Sequence, residues 1–163
     1  DPYYLVHKAK ELQYHTKMIN SGRYVNDSMG RYIGKKVVKK IISQGKNILG
    51  AHVLVMGMTF KENVSDIRNS KVADIINEFK DFGAEVDVMD PFASPLEVLQ
   101  EYGIRLVERP GKKYDAVVVA VAHTTYLKLD ESYFMSITNE HAVLADVKGV
   151  YRGSIHQMIY WSL

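Results

Sequence analysis

The sequence predicts an α/β fold, a doubly wound parallel sheet preceded by a long helical segment. Three observations carry the prediction. Short continuous apolar runs such as VLVM (53–56) and AVVVAVA (116–122) read as strands buried on both faces. Stretches with apolar residues three and four apart lie between those runs and end in glycine. The first 47 residues carry helical spacing and no strand signal.

Residues 1–15, DPYYLVHKAKELQYH, and 20–46, NSGRYVNDSMGRYIGKKVVKKIISQGK, are read as helical. In the second, Val25, Met29, Tyr32, Ile33, Val37 and Ile41 form one stripe, with Lys35, Lys36, Lys39 and Lys40 on a solvated face. AHVLVMG (51–57) is the first strand. SKVADIINEFKDFG (70–83) is a helix with Val72, Ile75, Ile76 and Phe79 inward and a glycine stop. AEVDVMDP (84–91) is an alternating second strand. SPLEVLQEYG (94–103) is a helix with Ser94 as cap, Pro95 in the first turn and Gly103 as stop. IRLVER (104–109) is expected as a third strand, YDAVVVAVAH (114–123) as a fourth, DESYFMSIT (130–138) as a short helix and HAVLADVKG (141–149) as a fifth strand. Alternation of this kind implies parallel strands with helices on both faces. The expected division is a helical segment over 1–47 and an α/β unit over 48–163.

Composition narrows the function. The 21 basic and 19 acidic residues leave a net charge of +2, too balanced to argue for a nucleic-acid partner. With no cysteine, disulfides, cysteine-based metal sites and a thiol nucleophile in this chain are excluded, and a reducing compartment is compatible. No apolar run approaches the ~20 residues needed to span a bilayer. The chain opens at Asp1-Pro2 without an initiator methionine, as an excised or processed piece would.

Ligands of doubly wound sheets bind beyond the carboxyl ends of the strands. The loop after the first strand reads GMTFKENVSDIR (57–68). It lacks the G-x-G-x-x-G of a dinucleotide pocket, so a classical nicotinamide site is not expected there. Phe60 is suited to packing on a ring, Lys61 to a phosphate or sugar oxygen, and Arg68 to phosphate, with Asp66 orienting it. The alternative is a solvated loop with a local Asp66–Arg68 ion pair. Asp90, ending the second strand, is either a ribose acceptor or ordinary turn chemistry before proline. His123, ending the fourth strand, is either functional or a satisfied structural group. Lys148 either reaches an anionic ligand or is simply exposed. Met56, Met58 and Met89 are core filling.

Several segments together resemble the UDP-glucose/GDP-mannose dehydrogenase family of nucleotide-sugar dehydrogenases. GMTFKENVSDIRNSKVADI (57–75), with its F-K-x-x-x-x-D-x-R spacing, is similar to that family's loop, and VDVMDPFA (86–93) and VVVAVAHTTY (117–126) to strands of its C-terminal domain. DPYYLVHKA (1–9) and SGRYVNDSM (21–29) resemble the segment after its catalytic cysteine and the start of its central helix. The closest flavour is the bacterial enzymes that oxidise UDP-N-acetylhexosamines for surface polysaccharide.

The resemblance implies a two-step, NAD-dependent oxidation of the sugar C6 hydroxyl to a carboxylate through a cysteine-bound intermediate. It implies an NAD domain outside this chain and a Rossmann-like UDP-binding domain within it. The central helix would make a homodimer, in the cytoplasm. Phe60, Lys61 and Lys148 would be substrate contacts, Arg68 would approach the NAD, and Asp1 would hold the hydrolytic water. The substrate would be UDP-N-acetylglucosamine or UDP-N-acetylgalactosamine. Having neither the cysteine nor the NAD domain, the chain would bind UDP-sugar without turning it over. The competing readings are a stand-alone nucleotide-binding module and a purely structural dimerisation domain.

Overall fold

A computed structural model describes residues 2–14 and 16–163. Two helices open the chain, α1 (Pro2–Glu11) and α2 (Lys17–Ser43). The α/β unit follows as β1 (His52–Met56), α3 (Val72–Asp81), β2 (Glu85–Met89), α4 (Pro95–Tyr102), β3 (Tyr114–Val119), α5 (Glu131–Ile137), β4 (Thr138–Asp146) and β5 (Ile159–Ser162). The strands form one sheet in the order β2-β1-β3-β4-β5. Every neighbouring pair is parallel, with Val53 opposite both Val86 and Ala116, and Val143 opposite Ile159. The chain steps outward from β1 to β2 and then returns to the other side of β1 for β3. The order therefore reverses between β1 and β3, which makes their carboxyl ends the switch point of the sheet.

Side chains of a strand alternate between faces, and here the alternation sorts the core into two layers. Val53, Val55, Ala116, Val118, Val143 and Ala145 pack with α2, α3 and α4. Leu54, Met56, Val117, Val119 and Leu144 pack on the opposite face with Tyr126, Phe134 of α5 and Tyr151. Helices thus cover both faces, which is why these strands read as continuous apolar runs. The ends of α4 are as expected: Ser94 accepts the Glu97 N–H at 3.4 Å and Gly103 closes the helix at φ +67°.

The long helix is built into this core. Ile33, Val37, Val38 and Ile41 of α2 are buried in the same layer as α3. Gly30 and Gly34 permit the approach: a Cβ on Gly30 would lie 2.6 Å from Asp74 Cβ, and one on Gly34 2.8 Å from Glu78 Cβ. The expected stripe is therefore corrected. Val25 and Tyr32 are exposed, while the two glycines and Val38 turn inward. Spacing alone could not show this, because glycine carries no hydrophobic signal. No described helix is long and apolar enough to cross a membrane.

Two strand expectations also change. IRLVER (104–109) makes only one bridge, Leu106 to Val88, and one hydrogen bond, Val107 N–H to the Val88 carbonyl at 2.8 Å. It lies outside the edge strand β2, and the donor-less Pro110 follows at once. The sheet instead gains β5 at its other edge. Its four residues are too short a run to stand out from their surroundings in the sequence.

Candidate functional site

The loop from Gly57 to Lys71 lies over the switch point. Gly57 has φ +95°, and a Cβ there would fall 2.5 Å from Val121 Cβ, so this glycine seals the β1 end against the β3 end. Its lack of a side chain is used by protein packing, so the loop has no free glycine edge for a pyrophosphate. The residues at this loop do not fit a dinucleotide, as the missing fingerprint indicates.

Two anchors hold the loop. The first is Asp90, whose side chain is fully buried. Its Oδ2 accepts the N–H groups of Met58 and Thr59, and its Oδ1 those of Phe92 and Ala93 at 2.7 and 2.9 Å. His123, also fully buried, lies with Nε2 3.1 Å from Asp90 Oδ2 and 3.3 Å from Thr59 Oγ1. Its Nδ1 accepts the Asn63 N–H at 3.0 Å, which places the ring proton on Nε2, facing Asp90. Burial pushes the Asp90 carboxyl up. The His123 hydrogen bond and the N–H groups of Met58, Phe92 and Ala93 outweigh it and hold the carboxyl well below the usual range. Asn63, in a left-handed conformation at φ +59°, accepts the Thr124 N–H at 2.9 Å. The second anchor is Tyr102 of α4, which donates to the Ile67 carbonyl at 2.6 Å and accepts the Ser70 N–H at 3.3 Å. A Phe60 N–H to Asp66 carbonyl bond of 2.7 Å closes the loop between them.

Anchoring leaves a defined set of side chains facing out. Phe60 is 59% exposed, and it lines a groove of about 690 Å³ between the switch point, the start of α3 and α2, with Thr59, Ser70, Tyr102 and Val121 also in its wall. Lys61 is exposed beside it. Lys148, beyond the end of β4, reaches Glu62 at 3.3 Å. The Glu62 carboxyl lies below its usual range, held first by its own backbone N–H and then by Lys148. Phe60 thus lines the groove, Lys61 follows it in the loop with an exposed side chain, and Lys148 meets the same loop through Glu62. Arg68 lines a separate cavity of about 480 Å³ with Glu97, Gln100 and Glu101. It is 81% exposed and pairs with Asp66 through both carboxylate oxygens, at 2.9 and 2.8 Å, lowering the Asp66 carboxyl to about 2. That is the local ion pair read as the alternative. Asp90 and His123 serve as structural groups at the site, and Asp1 lies outside the described residues. Sequence reading passes over Glu62 and Asn63; an asparagine in a polar loop, where left-handed backbone is tolerated, was the available signal for the latter.

The sequence profile of the UDP-glucose/GDP-mannose dehydrogenase family, UDP binding domain, matches residues 54–153, from β1 through the loop after β4. The chain belongs to the UDP-glucose/GDP-mannose dehydrogenase family. Within it, the chain is 41% identical over 149 residues to a UDP-N-acetyl-D-glucosamine 6-dehydrogenase of Pseudomonas aeruginosa, covering 91% of this chain and 35% of that protein. It is 39% identical over 151 residues to the Salmonella typhi enzyme of the same name, covering 92% and 36%. Among solved structures, the UDP-N-acetyl-mannosamine dehydrogenase Cap5O from S. aureus superposes with a TM-score of 0.75 at 26% identity, over 99% of this chain and 36% of that one. The chain therefore spans about a third of the length of the curated relatives it matches. The matched region runs from within β1 past the end of β4 and contains the anchored loop and the Asp90–His123 pair.

Proposed function

We propose that this chain is the UDP-sugar-binding part of an NAD-dependent UDP-sugar 6-dehydrogenase. Its substrate is UDP-N-acetylglucosamine or UDP-N-acetylgalactosamine, whose C6 hydroxyl is oxidised to the carboxylate for surface polysaccharide in the cytoplasm. The observation that carries the reading is the pinned loop at the switch point, which presents Phe60 and Lys61 beside the groove in a region matched by a UDP-binding profile. Phe60 supplies a packing face, and Lys61 and Lys148 supply positive charge for the diphosphate or sugar oxygens. NAD chemistry belongs to a different domain, since this loop does not accommodate a dinucleotide. Arg68 approaches that cofactor after exchanging Asp66 for it, and Asp1 holds the hydrolytic water. Residues 1–47 serve homodimer formation, residues 48–163 the ligand. Exposed Tyr4, Leu5, Met18 and Tyr24 on α1 and α2 support the dimer.

The bidentate Asp66–Arg68 pair favours a second reading for Arg68 alone, as a loop brace with no ligand. Calorimetric titration with UDP, UDP-N-acetylglucosamine and NAD⁺, beside Lys61→Ala, tests the assignment. Saturable uridine binding lost in the variant, without NAD⁺ binding, is the expected result. Tight NAD⁺ binding with indifference to UDP would overturn it.

A further inference from the structure

Three loops converge on one buried pair. Asp90 follows β2, His123 follows β3, and the backbone they grip follows β1. Asp90 takes the first two N–H groups of the grip, from Met58 and Thr59, and His123 Nδ1 takes the third, from Asn63. Phe60 and Lys61 lie between these fixed points and have exposed side chains. Phe92 stacks on the His123 ring at 4.8 Å between centroids, and Tyr126 meets its edge at 5.5 Å, so the imidazole cannot turn without displacing packed aromatics.

We propose that Asp90 and His123 are positioning residues for the uridine ligand: they touch no ligand, and they fix the backbone that aims Phe60 and Lys61. This rests on the uridine-binding reading above. The physical reason is entropic. A loop free to sample many conformers spends binding energy on ordering itself, and a loop already pinned at both ends does not. The two ring nitrogens divide the work. Nε2 meets the Asp90 carboxylate and the Thr59 hydroxyl, and Nδ1 alone takes the Asn63 N–H, so removing the second contact leaves the first set in place.

His123→Gln separates them. The glutamine amide keeps an N–H donor for Asp90 and lacks the acceptor at the Nδ1 position. Asn63 is exposed, so its released N–H can bond water and the fold survives. We expect roughly tenfold weaker UDP binding in the variant, the scale of one lost hydrogen bond expressed through the ligand contacts. We also expect non-additivity: His123→Gln costs clearly less UDP affinity in the Lys61→Ala background than in the parent chain, because only the Phe60 contact is left to misplace. Amide exchange should quicken at residues 60–63 and stay unchanged in β1 and β3. Additive losses, or unchanged exchange in the loop, would overturn the proposal. If Lys61→Ala binds UDP as the parent chain does, the uridine reading falls instead, and the exchange result alone decides whether His123 holds the loop.

Discussion

Gly57 and Val121 meet so closely that a methyl group on the glycine would lie 2.5 Å from Val121 Cβ and 2.8 Å from its backbone nitrogen. The contact joins the ends of β1 and β3, the two strands between which the sheet reverses direction. Gly57→Ala therefore carries two costs, a strained positive φ and an overlap against backbone. We expect destabilisation of about 2–4 kcal/mol. Urea unfolding measures it, and a change under ~0.5 kcal/mol would show that the loop can move away freely.

Lys61 offers the opposite profile. Its side chain is exposed and its carbonyl, accepting from Thr59 Oγ1 at 3.0 Å, belongs to the backbone. Lys61→Ala should weaken UDP-sugar binding by about 1–3 kcal/mol while leaving stability within about 0.5 kcal/mol. Titration and thermal melts on the same samples separate the two. A core-sized drop in melting temperature would make Lys61 a structural residue.

Two glycines of α2 should respond in opposite directions. Gly22 has no neighbour within 4 Å, so Gly22→Ala gains helix propensity and should stabilise by about 0.5–1 kcal/mol. Gly30 faces Asp74 Cβ at 2.6 Å and the Lys71 carbonyl at 2.8 Å. Overpacking of about 1–3 kcal/mol opposes the same gain there, so Gly30→Ala should be neutral to destabilising by about 2 kcal/mol. Equal shifts in the two variants would mean that the α2–α3 seam yields without cost.

Acid should loosen the switch point through Asp90. Its carboxyl is pushed up by burial, but the His123 and backbone N–H bonds dominate and hold it below the ordinary value of about 4. A folded pKa below the unfolded one gives stability that is complete above about pH 4 and is lost as pH falls through the folded value. Asp90→Asn should cost about 2–3 kcal/mol at neutral pH, and its deficit against the parent should shrink as pH falls from about 5 to about 2. Chemical denaturation across that range reads the difference. A deficit that stays constant would assign the acid response to other carboxylates.

The strands of the α/β unit and the caps of α4 were legible because burial on both faces and the Ser94-Pro95…Gly103 pattern are local signals. What escaped was set by partners far along the chain. Leu106 has strand character but only the edge of β2 to pair with. β5 exists because β4 offers it a free edge. The loop was legible in composition, since Phe60 and Lys61 do stand exposed after β1, but not in wiring. His123 gripping Asn63, and Lys148 meeting Glu62, span 60 and 86 positions of sequence, and no spacing rule reaches so far. Arg68 shows the reverse: the two-residue separation from Asp66 made the ion pair readable at once.

The glycine seam between α2 and α3 also has a mechanical meaning. At ~1.5 Å per residue, the 27 residues of α2 make a rod of about 40 Å. The rod is clamped from Asp27, which pairs with Lys71 at 2.8 Å, to Ile41. Its first ten residues, 17–26, extend about 15 Å beyond the clamp, ending near Met18, which is 89% exposed. A rotation of about 10° at the clamp moves that tip by roughly 2–3 Å, close to the rise of two helical residues. The α/β unit therefore holds a lever: small tilts at its rigid end are magnified where α2 leaves the sheet behind.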